Sequence, residues 1–223
     1  MYHSSMVLLI PALILAMWAQ NNVKSTFDKY SRVSTRRAST AAEVAVMLLN
    51  RAGLANVSVN RVPGSLTDHY DPVKRTVNLS DSVYGSNSIA SLGVAAHECG
   101  HAIQHSVGYS PLVIRNTIVP VVKLASTFAI PLFFIGLMLG LAGLVTLGIL
   151  FFAGVVIFHL ITLPVEFNAS SRALTVLGNT GTLSPDELVG ARAVLRAAAW
   201  TYIATTVMAA MQLLQFIMLK NRR

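Results

Sequence analysis

Charge is scarce in this chain. Only 12% of its 223 residues are Asp, Glu, Lys or Arg, against about 25% in an ordinary soluble domain. Acidic residues are scarcest, nine against 17 Lys and Arg, for a formal net charge of +8. Cysteine is nearly absent: Cys99 stands alone, which excludes an internal disulfide and leaves the redox compartment open. There is no glycine-rich phosphate loop, no internal repeat and no low-complexity segment. The basic residues are not interleaved with aromatics, which sets nucleic acid aside as a partner.

Hydrophobic residues are plentiful, at 54%, and more than one small core can absorb. Residues 6–19 carry no charge, residues 124–163 have His159 as their one group titrating near neutrality, and residues 197–219 again have no charge. A bilayer core takes about 20 apolar residues per helix. Four spans are therefore expected, near 4–20, 125–142, 144–163 and 198–219, with Gly136, Gly140, Gly143 and Thr146 turning the middle pair. The first five residues lack Lys and Arg and no clean cleavage site follows, so residues 1–20 read as a retained anchor. Lys24, Lys29, Arg32, Arg36 and Arg37 follow the first span, and Lys220, Arg222 and Arg223 follow the last. Such basic flanks suit a membrane surface, and Trp18 and Trp200 suit its interface.

Between spans the pattern changes. Thr40 with Glu43 forms a capping box before an amphipathic helix that Gly53 stops. Val57, Val59 and Val62 suggest a strand, and residues 66–70 and 76–79 a hairpin about Asp71-Pro72-Val73-Lys74. Ser86-Asn87-Ser88 can cap a helix running to Gly108. A further helix is expected from Val165 to Leu177, opened by Pro164. Ser184 with Glu187 forms a second capping box, whose helix runs into the last span.

The helix ending near Gly108 carries His97-Glu98-Cys99-Gly100-His101. Histidines four apart share one helix face and can both reach one zinc ion, and Glu98 between them can take a proton from a metal-activated water. Such a pair leaves a third ligand to be found. His105 is a candidate, but a straight helix puts it about 12 Å along the axis from His97. His69 on the hairpin is another. Glu166 is favoured, because a carboxylate beside the bilayer in so acid-poor a chain has a functional partner; its alternative role is to complement a helix dipole. His69, Tyr70, Tyr109 and Arg172 are candidates to stabilise an oxyanion. Cys99 points off the ligand face and reads as a packed residue. Gly100, costly in a helix, suggests close approach of another backbone or of substrate. His159 reads as a hydrogen-bonding partner within a helix bundle.

Three segments together resemble the YugP-type bacterial membrane zinc metallopeptidases: residues 95–105, residues 163–170 (Leu-Pro-Val-Glu-Phe-Asn-Ala-Ser) and residues 66–72 (Leu-Thr-Asp-His-Tyr-Asp-Pro). The resemblance covers nearly the whole chain. More distantly the chain is similar to HtpX and the CAAX prenyl proteases, which also place a membrane hairpin between the two metal-binding helices. The resemblance implies zinc held by His97, His101 and Glu166, with Glu98 as general base. Ser170 departs from the HtpX-like pattern, which has Asp there, so another group must orient a ligand histidine.

The expectation is an α-helical membrane protein with about four transmembrane helices and a small α+β zincin-like (gluzincin) catalytic domain. Residues 1–20 form an anchor, 21–124 the catalytic part, 125–163 a transmembrane hairpin, 164–197 the Glu-bearing helix and connector, and 198–223 a last span with a basic tail. The expected function is zinc-dependent endopeptidase action on unfolded or membrane-associated proteins; a strand near 66–70 or 76–80 either offers its edge to substrate or belongs to a hairpin that merely covers the helix. The longer basic segment places the site in the cytosol. A non-catalytic metal-binding scaffold or sensor is the alternative, disfavoured because pure metal binding has no use for Glu98.

Overall fold

Residues 7–221 are described by a computed structural model. In chain order its elements are α1 (Ile10–Ser31), α2 (Ala41–Arg51), β1 (Ser58–Val62), β2 (His69–Asp71), β3 (Thr76–Ser80), α3 (Asp81–Tyr84), α4 (Ile89–Ser106), α5 (Ser110–Leu139), α6 (Ala142–Asn179) and α7 (Pro185–Lys220). The chain divides into two units. One holds residues 21–112 and 165–199; the described part of the other holds 7–20, 113–164 and 200–221.

In the first unit the expected caps form. The Thr40 hydroxyl accepts from the Glu43 amide, and the Glu43 carboxylate accepts from the Thr40 amide. Ser88 caps α4 through the Ser91 amide. Glu187 accepts from the Ser184 amide at 2.8 Å and from the Arg36 amide at 2.8 Å, so the second capping box also ties the basic connector to α7. The α2 helix ends as expected before Gly53, whose φ of +73° suits a residue without Cβ.

The sheet order is β1-β3-β2. The expected hairpin is β2 antiparallel to β3, while β1 joins β3 in parallel, Val59 opposite Val77. The central strand is β3, buried along its length. Residues 76–80 therefore have no free edge, and of the two strands expected to receive substrate only β2 keeps one among the described residues. Val77 and Leu79 pack with Leu48 and Leu49 of α2, Val83 of α3, Leu92 of α4, Leu177 of α6 and Val194 of α7 in one core. Burial of each such side chain contributes about 1.5–3 kcal/mol.

In the second unit, α5 and α6 join through Gly140 at φ +70°. Gly136 serves packing instead: a Cβ there would lie 2.6 Å from the Val145 amide nitrogen. Phe133 and Phe216 stack at 4.1 Å, with Phe152 against Phe216 at 5.1 Å. Trp18 and Trp200 meet edge to face at 5.4 Å. His159 makes no hydrogen bond among the described residues; its ring lies 6.0 Å from that of Phe158.

Among the described residues three helices, α5, α6 and α7, are long and apolar enough to cross a membrane. They carry three of the four expected spans. The remaining one, near 4–20, begins outside the described residues, and its described part belongs to α1, which continues to Ser31 with Lys24, Asp28 and Lys29 aboard. Two boundaries differ from expectation. The helix expected to begin at 125 begins at Ser110, and the expected break at Pro164 is absent. A proline removes one hydrogen bond from a helix, and a long apolar helix tolerates that loss; after Pro164 the helix packs through the buried Val165, Ala169 and Ala173. The sheet and α4 with the start of the Glu166 segment thus lie in one unit, and the apolar helix stretches in the other.

Candidate metal centre

The centre lies in the first unit, where α4 packs on the part of α6 after Pro164. Each helix presents a matching face: His97, Gly100 and His101 on α4, and Glu166, Ala169 and Ser170 on α6, both spaced i, i+3, i+4. The small residues make the contact. A Cβ on Gly100 would lie 2.7 Å from the Ala169 carbonyl oxygen, so the close backbone expected at Gly100 is that of α6. This approach brings the longer side chains on either side together. One oxygen of Glu166, Oε2, lies 3.3 Å from His97 Nε2 and 3.5 Å from His101 Nε2. All three ligand atoms lie within 4.8 Å of one another.

The far sides of both imidazoles are held. Ser170 Oγ is 3.1 Å from His97 Nδ1, so the residue that departs from the HtpX-like pattern orients a histidine itself. His101 Nδ1 is 3.0 Å from Gln104 Oε1. The orientation of that amide follows from its neighbours. Arg172 Nε donates to Asn168 Oδ1 at 2.7 Å, and Gln104 Nε2 donates to the same oxygen at 3.0 Å and to the Val165 carbonyl at 2.8 Å. Gln104 must therefore turn its oxygen to His101, which must carry a proton on Nδ1. Gln104 is fully buried. Neither Gln104 nor Asn168 stood out in the sequence, because a polar residue inside a helix has no periodic signature; only its i+3 spacing from His101 hinted at a role.

The other candidates lie elsewhere. His105 Nδ1 pairs with the Tyr70 hydroxyl at 2.8 Å, away from the trio. Burial pushes the Tyr70 phenol above its ordinary range, against the pull of Arg75. His69 donates from Nδ1 to the Thr67 carbonyl at 2.9 Å and faces the Asn78 amide with Nε2 at 3.2 Å. Arg172 is engaged with Asn168. Glu98 is buried at 8% exposure. Cys99 is buried too, its thiol donating to the Ala45 carbonyl; burial, aided by the Glu98 charge, pushes that thiol far above its ordinary range.

A family model described as "Putative neutral zinc metallopeptidase" matches residues 5–221. The chain belongs to this zinc metallopeptidase family. It is 49% identical over 212 residues to the "Putative membrane protease YugP" of Bacillus subtilis (strain 168), covering 95% of this chain and 94% of that protein. No solved structure matches it.

Zinc is the metal of this metallopeptidase family, and the donor set suits it. With Nδ1 of His101 protonated, a neutral His101 aims its Nε2 lone pair at a carboxylate oxygen 3.5 Å away. Two lone pairs facing each other in a buried site repel unless a cation lies between them. Without a metal, a proton takes that part. Burial opposes a charged His101, but its hydrogen bond to Glu166 and the charge of Glu98 raise its affinity for the proton above the ordinary value. A group of two imidazoles and one carboxylate is a ligand set for catalytic zinc that leaves one position open.

Proposed function

We propose that this chain is a membrane-embedded zinc endopeptidase with a zincin-like (gluzincin) site, in which His97, His101 and Glu166 hold the metal and Glu98 is the general base. The observation that carries this reading is the convergence of three ligand atoms within 4.8 Å, two of them on the helix that also carries Glu98. When bound, zinc supplies a Lewis acid that acidifies a water and polarises a carbonyl. The chain's residues do the rest. Glu98 takes a proton from the attacking water and delivers it to the leaving amine nitrogen. Gln104 and Ser170 keep the Nε2 lone pairs of the ligand histidines turned to the metal. An extended substrate adds to the free edge of β2, whose Tyr70 is tied to α4 through His105.

The substrates are peptide segments of unfolded or membrane-associated proteins, and the site faces the cytosol. The basic connector containing Lys24, Lys29, Arg32, Arg36 and Arg37 supports that orientation. The test is zinc content together with proteolysis of unfolded and membrane substrates by wild type and Glu98→Gln. The variant keeps its zinc and loses about 10²–10⁴-fold in rate. Equal cleavage by the two proteins sinks the mechanism. For the ligands, Glu166→Ala loses zinc affinity far more than His105→Ala; the reverse order sinks the assignment.

A further inference from the structure

Next to the metal-binding face of α4 lies a cavity of about 260 Å³ that none of the three proposed ligands lines. That volume is below the range of about 300–1,000 Å³ typical of whole small-molecule sites, and it suits a single side chain. Its position is set by α4. Ala102 and His105, which line it, follow Glu98 by four and seven residues and so share that residue's helix face. His105 lies about 6 Å further along the axis than His101, the length of about two residues of extended chain.

The polar lining has one sign. Arg75, Asn56, Tyr70 and His105 contribute, and no acidic side chain does. Arg75 follows the β2 strand in a turn that the Asp71 carboxylate fixes by accepting from the Val73 and Lys74 amides. Its φ of 52° lies in the left-handed region, so the turn, rather than a strand register, aims this residue. The Arg75 carbonyl accepts from the Ser58 amide at 3.3 Å, whereas its guanidinium has no hydrogen bond or ion pair among the described residues. The Tyr70–His105 pair adds a donor. A phenol and a neutral imidazole own one O–H and one N–H, and their mutual bond uses one of them. Whichever group donates, one proton remains for a third partner. Ser106 adds no donor, since its hydroxyl is given to the Ile103 carbonyl. A guanidinium fork with neutral donors beside it, above apolar walls from Leu54 and Val57, matches a carboxylate on an aliphatic stem.

We propose that this cavity is a substrate subsite that takes the carboxylate of a Glu or Asp side chain about two residues from the scissile bond. The subsite deepens the peptidase reading and rests on it.

Binding tests it separately from cleavage. The full chain carrying Glu98→Gln, in detergent micelles and loaded with zinc, is titrated into fluorescein-labelled extended peptides that differ by Glu or Gln at one scanned position. Fluorescence anisotropy shows the Glu peptide binding about tenfold more tightly or better at one position, the size of a charge-assisted hydrogen bond. Arg75→Asn abolishes that difference, and Arg75→Lys keeps part of it. Asparagine tolerates the left-handed backbone, and the thermal midpoint of each variant verifies its fold. No Glu preference at any position, or a preference that survives Arg75→Asn, overturns the subsite. Succinate alone, titrated over the range in which the peptide saturates, leaves the thermal midpoint unchanged; an Arg75-dependent stabilisation there makes the cavity a site for a free acid and also overturns it. Equal cleavage by wild type and Glu98→Gln overturns the peptidase reading while leaving the binding result intact.

Discussion

His101 has one acceptor for its Nδ1 proton, the Oε1 of Gln104 at 3.0 Å. Gln104→Leu keeps the volume and removes that acceptor, so zinc affinity falls about 10–100-fold, the usual cost of losing a partner behind a ligand histidine. Gln104→Glu keeps an acceptor facing Nδ1 and stays closer to wild type. Competition with a chromophoric chelator measures both, and leucine binding as well as glutamate sinks the tautomer account. Cys99 makes the opposite kind of prediction. Buried at 1% exposure, with its thiol pushed upward by that burial, it stays protonated and out of reach. A thiol-specific maleimide leaves native protein unlabelled and labels it once unfolded; labelling of the folded chain refutes this. At this scale the sequence was legible where spacing alone implies a shared face, as for His97 and His101. Glu166 was singled out by the scarcity of acidic residues and its place beside the apolar run, and it lies within 3.5 Å of both imidazoles. Gln104 and Asn168 were not, because the bonds that fix the Gln104 amide cross between two helices, and Ser170 read as a missing carboxylate although its hydroxyl reaches His97 at 3.1 Å.

Helices meet at Gly100. A methyl group there would lie 2.7 Å from the Ala169 carbonyl oxygen, which is backbone and cannot swing aside. Gly100→Ala gains about 1 kcal/mol of helix propensity. Forcing the helices apart costs about 1–3 kcal/mol, so the balance is loss of stability. Because the same contact sets the distance from Glu166 to both imidazoles, zinc affinity falls with it. Thr40→Ala is the matched contrast. It removes a cap from α2 at a cost of about 1 kcal/mol and leaves zinc affinity unchanged, since α2 contributes no residue to the trio. Denaturant unfolding and zinc titration of the two variants check the pair; a Gly100→Ala protein as stable and as tightly metallated as wild type refutes the crossing argument. Element caps and the β2–β3 hairpin could be read from local residues. The parallel pairing of β1 with β3 could not, because it depends on a crossover that no short segment encodes. Pro164 misled for a related reason: its local preference for a helix start does not stop the helix from running through it into the buried Val165, Ala169 and Ala173.

The proposed centre draws on two segments far apart in the chain, 97–101 and 166, so zinc bound by His97, His101 and Glu166 would tie one to the other. Chelation removes stability by mass action, about 2.7 kcal/mol when free zinc is a hundred times its dissociation constant. For a chain of this size that lowers the thermal midpoint by about 5–10 °C. Glu166→Ala unfolds at one midpoint with or without chelator, whereas Glu98→Gln keeps the full difference. The orientation of the molecule is a further test, and the buried Cys99 makes it simple. With the lone native thiol silent, a cysteine placed at Val73, 90% exposed in the β2–β3 turn of the proposed catalytic unit, becomes the single reporter. The proposed cytosolic placement of that unit rests on the basic residues clustered in residues 24–37 and the positive-inside rule, while Lys220, Arg222 and Arg223 at the far end argue the other way. The longer segment follows the span expected near residues 4–20, and on that expectation it acts as the first membrane helix inserts, before the tail is made. A membrane-impermeant maleimide added to intact cells therefore leaves Val73→Cys unlabelled, and permeabilised cells label it fully. Labelling without permeabilisation places the site outside, and with it the proteins on which such an enzyme acts.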